Sequence, residues 1–256
     1  MALKRVGLEC RRESLWGEIM LILKPKVNFV VTVEAEITPE LATKSLDEIL
    51  NFKVYYGKNL VKLGDLFEVK KEGDDKKIIL DGDFSRVKWI GCRMEDGEIL
   101  VKGSVGTNCG AYMKGGKIII EGNADDWLGA EMNGGEIVVK GNTGNLVGCA
   151  YYGDATGMSN GKIIIEGNAG NYIGEKMSGG IIEIKGNAGD FVGTEMRGGQ
   201  IIIHGSCGFV GGDMRGGEIA IKGSFELLPA FIKKEEGLWV GDVNVKGEGK
   251  IRAIKS

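Results

Sequence analysis

Five cysteines and one histidine are the residues of this 256-residue chain best suited to chemistry. A thiolate can attack an electrophile or ligate a metal, and an imidazole can carry a proton near neutral pH. Sulfur ligation of zinc or iron needs clustered thiols, typically C-x-x-C. The thiols here stand apart, at Cys10, Cys92, Cys109, Cys149 and Cys207. His204 has no nucleophile or orienting acid set beside it in a recognisable motif. Glycine runs such as Gly167–Gly170 would cradle a phosphate if G-K-[ST] followed, and it does not. The residues therefore offer no catalytic, cofactor-binding or metal-binding set, and each needs a structural explanation.

That explanation is a repeat. The unit reads Gly115-Gly116-Lys117-Ile118-Ile119-Ile120-Glu121-Gly122-Asn123, then variable residues, then Gly129 and Met132. It restarts at Gly134, Asn160, Gly179, Gly198 and Gly216, and weaker copies begin at Asp75 and Asp96. Successive starts lie 21, 19, 19, 26, 19, 19 and 18 residues apart. A fixed period of this kind is the mark of a stacked repeat architecture. The spacing is not a multiple of six, which excludes a left-handed hexapeptide helix. No clustered aspartates suggest a calcium-binding lyase. The expected fold is mainly β, a right-handed parallel β-helix of about 19 residues per coil and roughly eight coils.

Within each unit the five-residue strand alternates in and out. Stacking turns every position into a column. Ile78, Ile99, Ile118, Ile137, Ile163, Ile182, Ile201 and Ile219 form one inner column, with Val101, Ile120, Val139, Ile165, Ile184, Ile203 and Ile221 in a second. The residues opening the strand, Lys77, Glu98, Lys117, Glu136 and Lys162, alternate in sign. So do those closing it, Asp81, Lys102, Glu121, Lys140, Glu166 and Lys185, in antiphase. Opposite charges on adjacent coils attract, so the pattern opposes a slip of register. A Ser/Asn column follows (Ser104, Asn123, Asn142, Asn168, Asn187, Ser206, Ser224), and a methionine column from Met94 to Met214 closes the turn. Cys92 and Cys149 share a column three coils apart, about 14 Å, too far for a disulfide. His204 falls in the outer charge column.

The chain divides into an extension over residues 1–19, a small N-terminal α+β unit over 20–74, the repeat over 75–224 and a C-terminal cap over 225–256. Met20 competes with Met1 as the start. In the α+β unit, Thr38-Pro39 and Ser45-Leu46-Asp47-Glu48 are alternative helix-start signals. Leu227–Phe231 is expected to fold over the open end, and Val240–Val245 to add a partial coil or a returning strand. With 33 basic and 36 acidic residues interspersed, nothing favours nucleic acid as a partner. No run approaches the roughly 18 apolar residues of a membrane span, so cytoplasm is the expected location.

The repeat resembles the β-helix shared by the C-terminal domain of the glutamate synthase large subunit and the C subunit of formylmethanofuran dehydrogenase. Residues ahead of it narrow the resemblance to the second. Ile22-Leu23-Lys24-Pro25, Val33–Pro39, Lys44–Ile49 and Leu63-Gly64-Asp65-Leu66-Phe67 are similar to the N-terminal section of that protein. The resemblance covers roughly residues 20–250. It implies a complex of methanogenic archaea that reduces CO2 with ferredoxin electrons and fixes it as N-formylmethanofuran. In that family the tungsto- or molybdopterin, the iron–sulfur clusters and a dinuclear metal site belong to other subunits. The implied partners are a pterin-binding catalytic subunit, an amidohydrolase-like subunit and iron–sulfur subunits. This chain would be a non-catalytic assembly subunit of an oxidoreductase, with no cofactor of its own. The alternative is a stand-alone glutamate-synthase-type module serving an amidotransferase.

Two features exceed what the fold requires. The outward middle column reads Ile79, Leu100, Ile119, Val138 and Ile164, apolar where solvent would lie. The coil starting at Gly134 carries extra residues within Cys149–Thr156, including Tyr151, Tyr152 and Asp154. Both are partner-interface candidates. Cover by the chain's own termini and a tolerated surface insertion are the alternatives.

Overall fold

A computed structural model describes residues 21–73 and 75–254. The extension over 1–19 with Cys10, and the choice between Met1 and Met20, lie outside the described residues.

The chain is mainly β, dominated by one sheet of 13 strands. Eight central strands follow one another in chain order: Lys77–Leu80, Glu98–Val101, Lys117–Ile120, Asn133–Val139, Asn160–Ile165, Ile181–Ile184, Gln200–Ile203 and Glu218–Ile221. Each pairs in parallel with the next, and the inner columns meet residue for residue. Ile99 faces Ile118, Ile118 faces Ile137, and Ile137 faces Ile163. All eight isoleucines of that column are at most 1% exposed. Burying each contributes roughly 1.5–3 kcal/mol, and the two-residue alternation leaves no other register that keeps them inside.

Glycine makes the sharp return between rungs. At Gly135 φ is +84°, a left-handed conformation that side chains disfavour, and an added Cβ would lie 2.6 Å from Met113 Cε. The methionine of one rung thus fills the space that the glycine of the next leaves. The Ser/Asn column also ties rung to rung. Asn123 Oδ1 accepts the backbone N–H of Asn142 at 2.8 Å, and Asn142 Oδ1 accepts that of Asn168 at 2.8 Å. Serine does the same at the borders: Ser104 Oγ accepts Asn123 N–H, and Ser206 Oγ accepts Ser224 N–H, each at 3.0 Å. A parallel column uses Asp126, Asn145 and Asn171 in the same way. On the outside, Lys117 meets Glu136 at 2.7 Å, Lys77 meets Glu98 at 3.5 Å and Asp81 meets Lys102 at 3.9 Å. Lys140 pairs with Glu166. Such exposed pairs contribute little individually, about 0–1 kcal/mol, but they set register.

A second row crosses the rungs after the strands, with parallel bridges Phe84 to Val105, Val105 to Ala124 and Ala124 to Thr143. Thr143 Oγ1 is buried in this otherwise apolar row with no hydrogen-bond partner among the described residues.

The N-terminal residues extend the same sheet. Leu21–Pro25 pairs in parallel with Lys77–Leu80, and Phe67–Lys71 lies antiparallel beyond it. Both helix signals are used: Pro39–Thr43 is a 3-10 turn, and Leu46–Leu50 is an α-helix with Ser45 and Glu48 forming a capping box. Val33–Glu34 pairs with Val87–Lys88 of the first repeat, in a small sheet with the hairpin Lys53–Tyr56 and Asn59–Lys62. At the other end the last parallel strand is Gly249–Ala253, beside Glu218–Ile221. Leu238–Gly241 runs antiparallel to it, a returning strand that takes in Val240 and Gly241, while Val243–Val245 is a 3-10 turn rather than strand. Phe231 is 7% exposed. Its ring lies close to Gly211, where an added Cβ would meet it at 2.7 Å.

Candidate partner-binding surfaces

Pairing sets the middle residues of the strands in one outward row: Ile22, Ile79, Leu100, Ile119, Val138 and Ile164. Ile79 is 9% exposed and the next four are half-buried. Glu183 interrupts the row. Its carboxylate takes Lys162 at 3.6 Å, His204 Nε2 at 3.1 Å, and Lys185. The hydrogen bond to Lys185, more than that to His204, holds its pKa below the usual carboxylate range. The only histidine thus sits in an ion cluster on the sheet's outer face, where its hydrogen-bond partners among the described residues are Glu183 and Lys185 rather than a hydroxyl or thiol.

The insertion folds back toward the earlier rungs. Tyr151 stacks on Trp127 with centroids 4.8 Å apart and planes at 16°, and lies 5.5 Å from the Tyr112 ring. Its hydroxyl donates to Asn108 Oδ1 at 2.7 Å, and its backbone N–H donates to Glu131 Oε1 at 3.0 Å. The ring covers a small second core of Cys92, Ala111 and Ala130. Burial pushes the Tyr151 phenol well up. Asp154 N–H donates to the Tyr151 carbonyl at 3.0 Å. The Asp154 carboxyl shares a hydrogen bond with Glu131, whose pKa burial and that bond both raise. Tyr152 turns outward, 89% exposed, with its ring edge-on to Trp127 at 5.5 Å. So Tyr151 secures the insertion, while Tyr152 is left at the surface.

Tyr152 belongs to a surface that the sequence reading missed. In most rungs the residue two before the turn glycine is large and apolar, giving Trp89, Trp127, Leu146, Tyr172, Phe191 and Phe209. Tyr172, Phe191 and Phe209 are exposed, while Trp89 and Trp127 pack partly against the second core. Trp127, Leu146, Tyr172 and Phe191 have φ of +65°, +62°, +57° and +62°. Bulky side chains there cost on the order of 1–3 kcal/mol each. Tyr172 stacks on Phe191 at 5.0 Å and Phe191 on Phe209 at 6.0 Å. These three are 39%, 38% and 37% exposed. The triplets Tyr172-Ile173-Gly174, Phe191-Val192-Gly193 and Phe209-Val210-Gly211 carried the signal, an aromatic recurring at a fixed offset from glycine. A cleft of about 460 Å³ beside the ridge is lined by Asn145, Leu146, Tyr152, Asn171, Tyr172 and Glu175.

The four described cysteines are free. Burial raises the Cys92 thiol to about 11 and the Cys109 and Cys207 thiols to about 12. It pushes Cys149 higher still, and that thiol donates to the Tyr172 carbonyl at 2.7 Å. Thiols held protonated are poor nucleophiles and poor ligands. Among the described residues no three His, Cys, Asp or Glu side chains converge to hold a metal ion, and no helix is long and apolar enough to cross a membrane.

Residues 85–254 match the family model described as the GXGXG motif. The chain is 50% identical over 97 residues to the C subunit of tungsten-containing formylmethanofuran dehydrogenase 2 from Methanothermobacter marburgensis, covering 36% of each chain. It is 44% identical over 92 residues to the C subunit of molybdenum-containing formylmethanofuran dehydrogenase 1 from Methanothermobacter wolfeii, covering 35% of this chain and 23% of that one. The matched part is thus about a third or less of these curated relatives' length. Among solved structures, the chain superimposes with a TM-score of 0.84 and 26% identity on a chain of the formyltransferase/hydrolase complex (FhcABCD) from Methylorubrum extorquens in complex with methylofuran. That match covers 91% of this chain and 98% of the other. The chain belongs to the GXGXG-motif family, and its resemblance to the C subunit of formylmethanofuran dehydrogenase holds.

Proposed function

We propose that the chain is a non-catalytic assembly subunit of a formylmethanofuran dehydrogenase, the oxidoreductase complex that reduces CO2 with ferredoxin electrons and fixes it as N-formylmethanofuran. The observation that carries this reading is the 50% identity over 97 residues to the C subunit of tungsten-containing formylmethanofuran dehydrogenase 2. The match over 98% of a chain from a solved multi-subunit complex supports the assembly role. The reactive side chains support it. The buried thiols are held protonated, and the lone histidine is tied into the Glu183 cluster. Cofactors, whether tungsto- or molybdopterin, iron–sulfur clusters or a dinuclear metal site, then belong to the pterin-binding, iron–sulfur and amidohydrolase-like subunits. The parallel rows fit a right-handed parallel β-helix of roughly eight coils over 75–224. Residues 20–74 form the unit ahead of it and 225–256 the cap, in a cytoplasmic complex. Its contact surfaces include the sheet row from Ile79 to Ile164 and the insertion bearing Tyr151, Tyr152 and Asp154.

The solved neighbour favours a second reading, since its complex is named for formyl transfer and hydrolysis rather than for dehydrogenation. One experiment separates them. The tagged chain is purified from its native host, the retained subunits are identified, and the assembly is analysed for tungsten, molybdenum and ferredoxin-linked CO2 reduction. Retention of a metal-pterin subunit with that activity supports the dehydrogenase. A metal-pterin-free assembly that only transfers or hydrolyses formyl groups supports the second reading. If the chain emerges alone, both fall.

A further inference from the structure

The ridge has three properties that ordinary surface does not need. It is apolar, its members recur on successive rungs, and at Trp127, Leu146, Tyr172 and Phe191 it is built at left-handed backbone positions that cost stability. From Trp127 to Phe209 it spans four inter-rung steps, about 19 Å at the usual strand spacing. Tyr172, Phe191 and Phe209 stack along the ridge, and each remains more than a third exposed. Contiguous exposed aromatic surface marks a protein contact site.

Charge says what kind of protein. Along the strands, acids pair across rungs with lysines, as at Glu136 and Glu98. Along the ridge they do not. Asp190 and Glu195 bracket Phe191, Asp213 follows Phe209, and Glu175 lines the cleft with Tyr172. None of these four carboxylates has an ion-pair partner among the described residues. Glu195 and Asp213 are like charges on adjacent rungs. Lys176 is the cation within the same turns, and its Nζ donates to the Asp154 carbonyl at 3.4 Å. Arg197 and Arg215, two residues beyond Glu195 and Asp213, line a separate cleft with Gly199 and Lys250. A second copy of this chain would set acid against acid if two ridges met.

We propose that the aromatic ridge of Trp127, Tyr152, Tyr172, Phe191 and Phe209 is the docking surface for a different protein chain, whose matching face is apolar and rimmed by lysine or arginine. This rests on the assembly role proposed above and assigns a surface to it. The partner's cations neutralise the unpaired acids, and its apolar side chains cover the aromatic edges.

The test co-expresses the chain with the other subunits of the proposed complex and purifies the assembly through a tag on this chain. Two ridge variants are compared, Phe191→Ser with Phe209→Ser, and Glu195→Lys with Asp213→Lys. The control is Tyr55→Ser with Ile232→Ser, which are exposed and lie outside the ridge. Both ridge variants should weaken assembly roughly tenfold or more, and the control should not. In the wild-type assembly, hydroxyl-radical labelling of Trp127, Tyr152 and Tyr172 should fall relative to the free chain, a readout independent of variant folding. Unchanged labelling overturns the proposal, as does wild-type assembly by well-folded ridge variants. A self-associating free chain whose dimer the ridge variants dissolve also overturns it, in favour of a second copy. If the wild type captures no other chain, the assembly role itself fails, and the ridge proposal with it.

Discussion

Replacing Thr143 by valine should make this protein more stable. The hydroxyl lies in a row that is otherwise Phe84, Val105 and Ala124, it is 8% exposed, and Oγ1 has no hydrogen-bond partner among the described residues. Burying a hydroxyl unpaired costs about 1–3 kcal/mol in proteins. Valine has nearly the same shape and removes that cost, while it keeps the backbone bond from Thr143 N–H to the Asn168 carbonyl. The expected gain is about 1–2 kcal/mol, and each kcal/mol raises the melting temperature of a chain this long by roughly 2–4 °C. Thr143→Ser is the control. It keeps the hydroxyl and loses a methyl group, so it should destabilise by about 0.8 kcal/mol. Calorimetry, or urea midpoints at constant slope, reads both. If valine lowers stability as serine does, the hydroxyl has a partner and the reasoning fails.

Three further outcomes are expected. Gly135→Ala should cost about 3 kcal/mol or more, since its Cβ would meet both Met113 Cε and the Gly116 carbonyl. Gly153→Ala, also at positive φ but facing open space, should cost only about 1–2 kcal/mol in a urea titration of both variants. Glu131 binds its proton more tightly in the folded chain than when unfolded, because of burial and the bond to Asp154. Its contribution is therefore fully present below the ordinary carboxylate value and is lost as pH rises through the raised one. Glu131→Gln, whose amide can donate to Asp154 at any pH, should lose that decline, so the difference in midpoint between wild type and variant should grow in the variant's favour toward neutral pH. Native protein treated with iodoacetamide at mildly alkaline pH should leave the buried Cys92, Cys109 and Cys149 unmodified by mass spectrometry, and modify them once unfolded. Rapid native labelling of Cys149 would contradict its burial.

The repeat was legible because each column is a chemical constraint written several times. Ile118, Ile137 and Ile163 face one another because any other register would expose them. Lys117 meets Glu136 because its other neighbour, Glu98, also carries the opposite charge. The Asn column was visible, but its bonding was not: Asn142 accepts a backbone N–H from the next rung rather than pairing with its amide. What sequence hid was where exposed residues point. Nothing local signals that Tyr151 turns back to Asn108, a contact 43 residues away, whereas Tyr152 beside it faces outward. No local rule says which way an aromatic beside a turn glycine faces, and Tyr172 and Phe191, at left-handed backbone, are 39% and 38% exposed. The tie between His204 and Glu183 depends on neighbouring strands 21 residues apart in sequence.

The serine-bounded asparagine column has one more consequence. Because each side-chain carbonyl serves only the rung after it, a whole rung can be duplicated or deleted between Asn123 and Asn187 without leaving a donor stranded. The distance between the two end units is then quantised in steps of about 4.8 Å. Gene duplication in such a chain works as a ruler: it can lengthen or shorten the span between whatever docks at the two ends, one increment at a time.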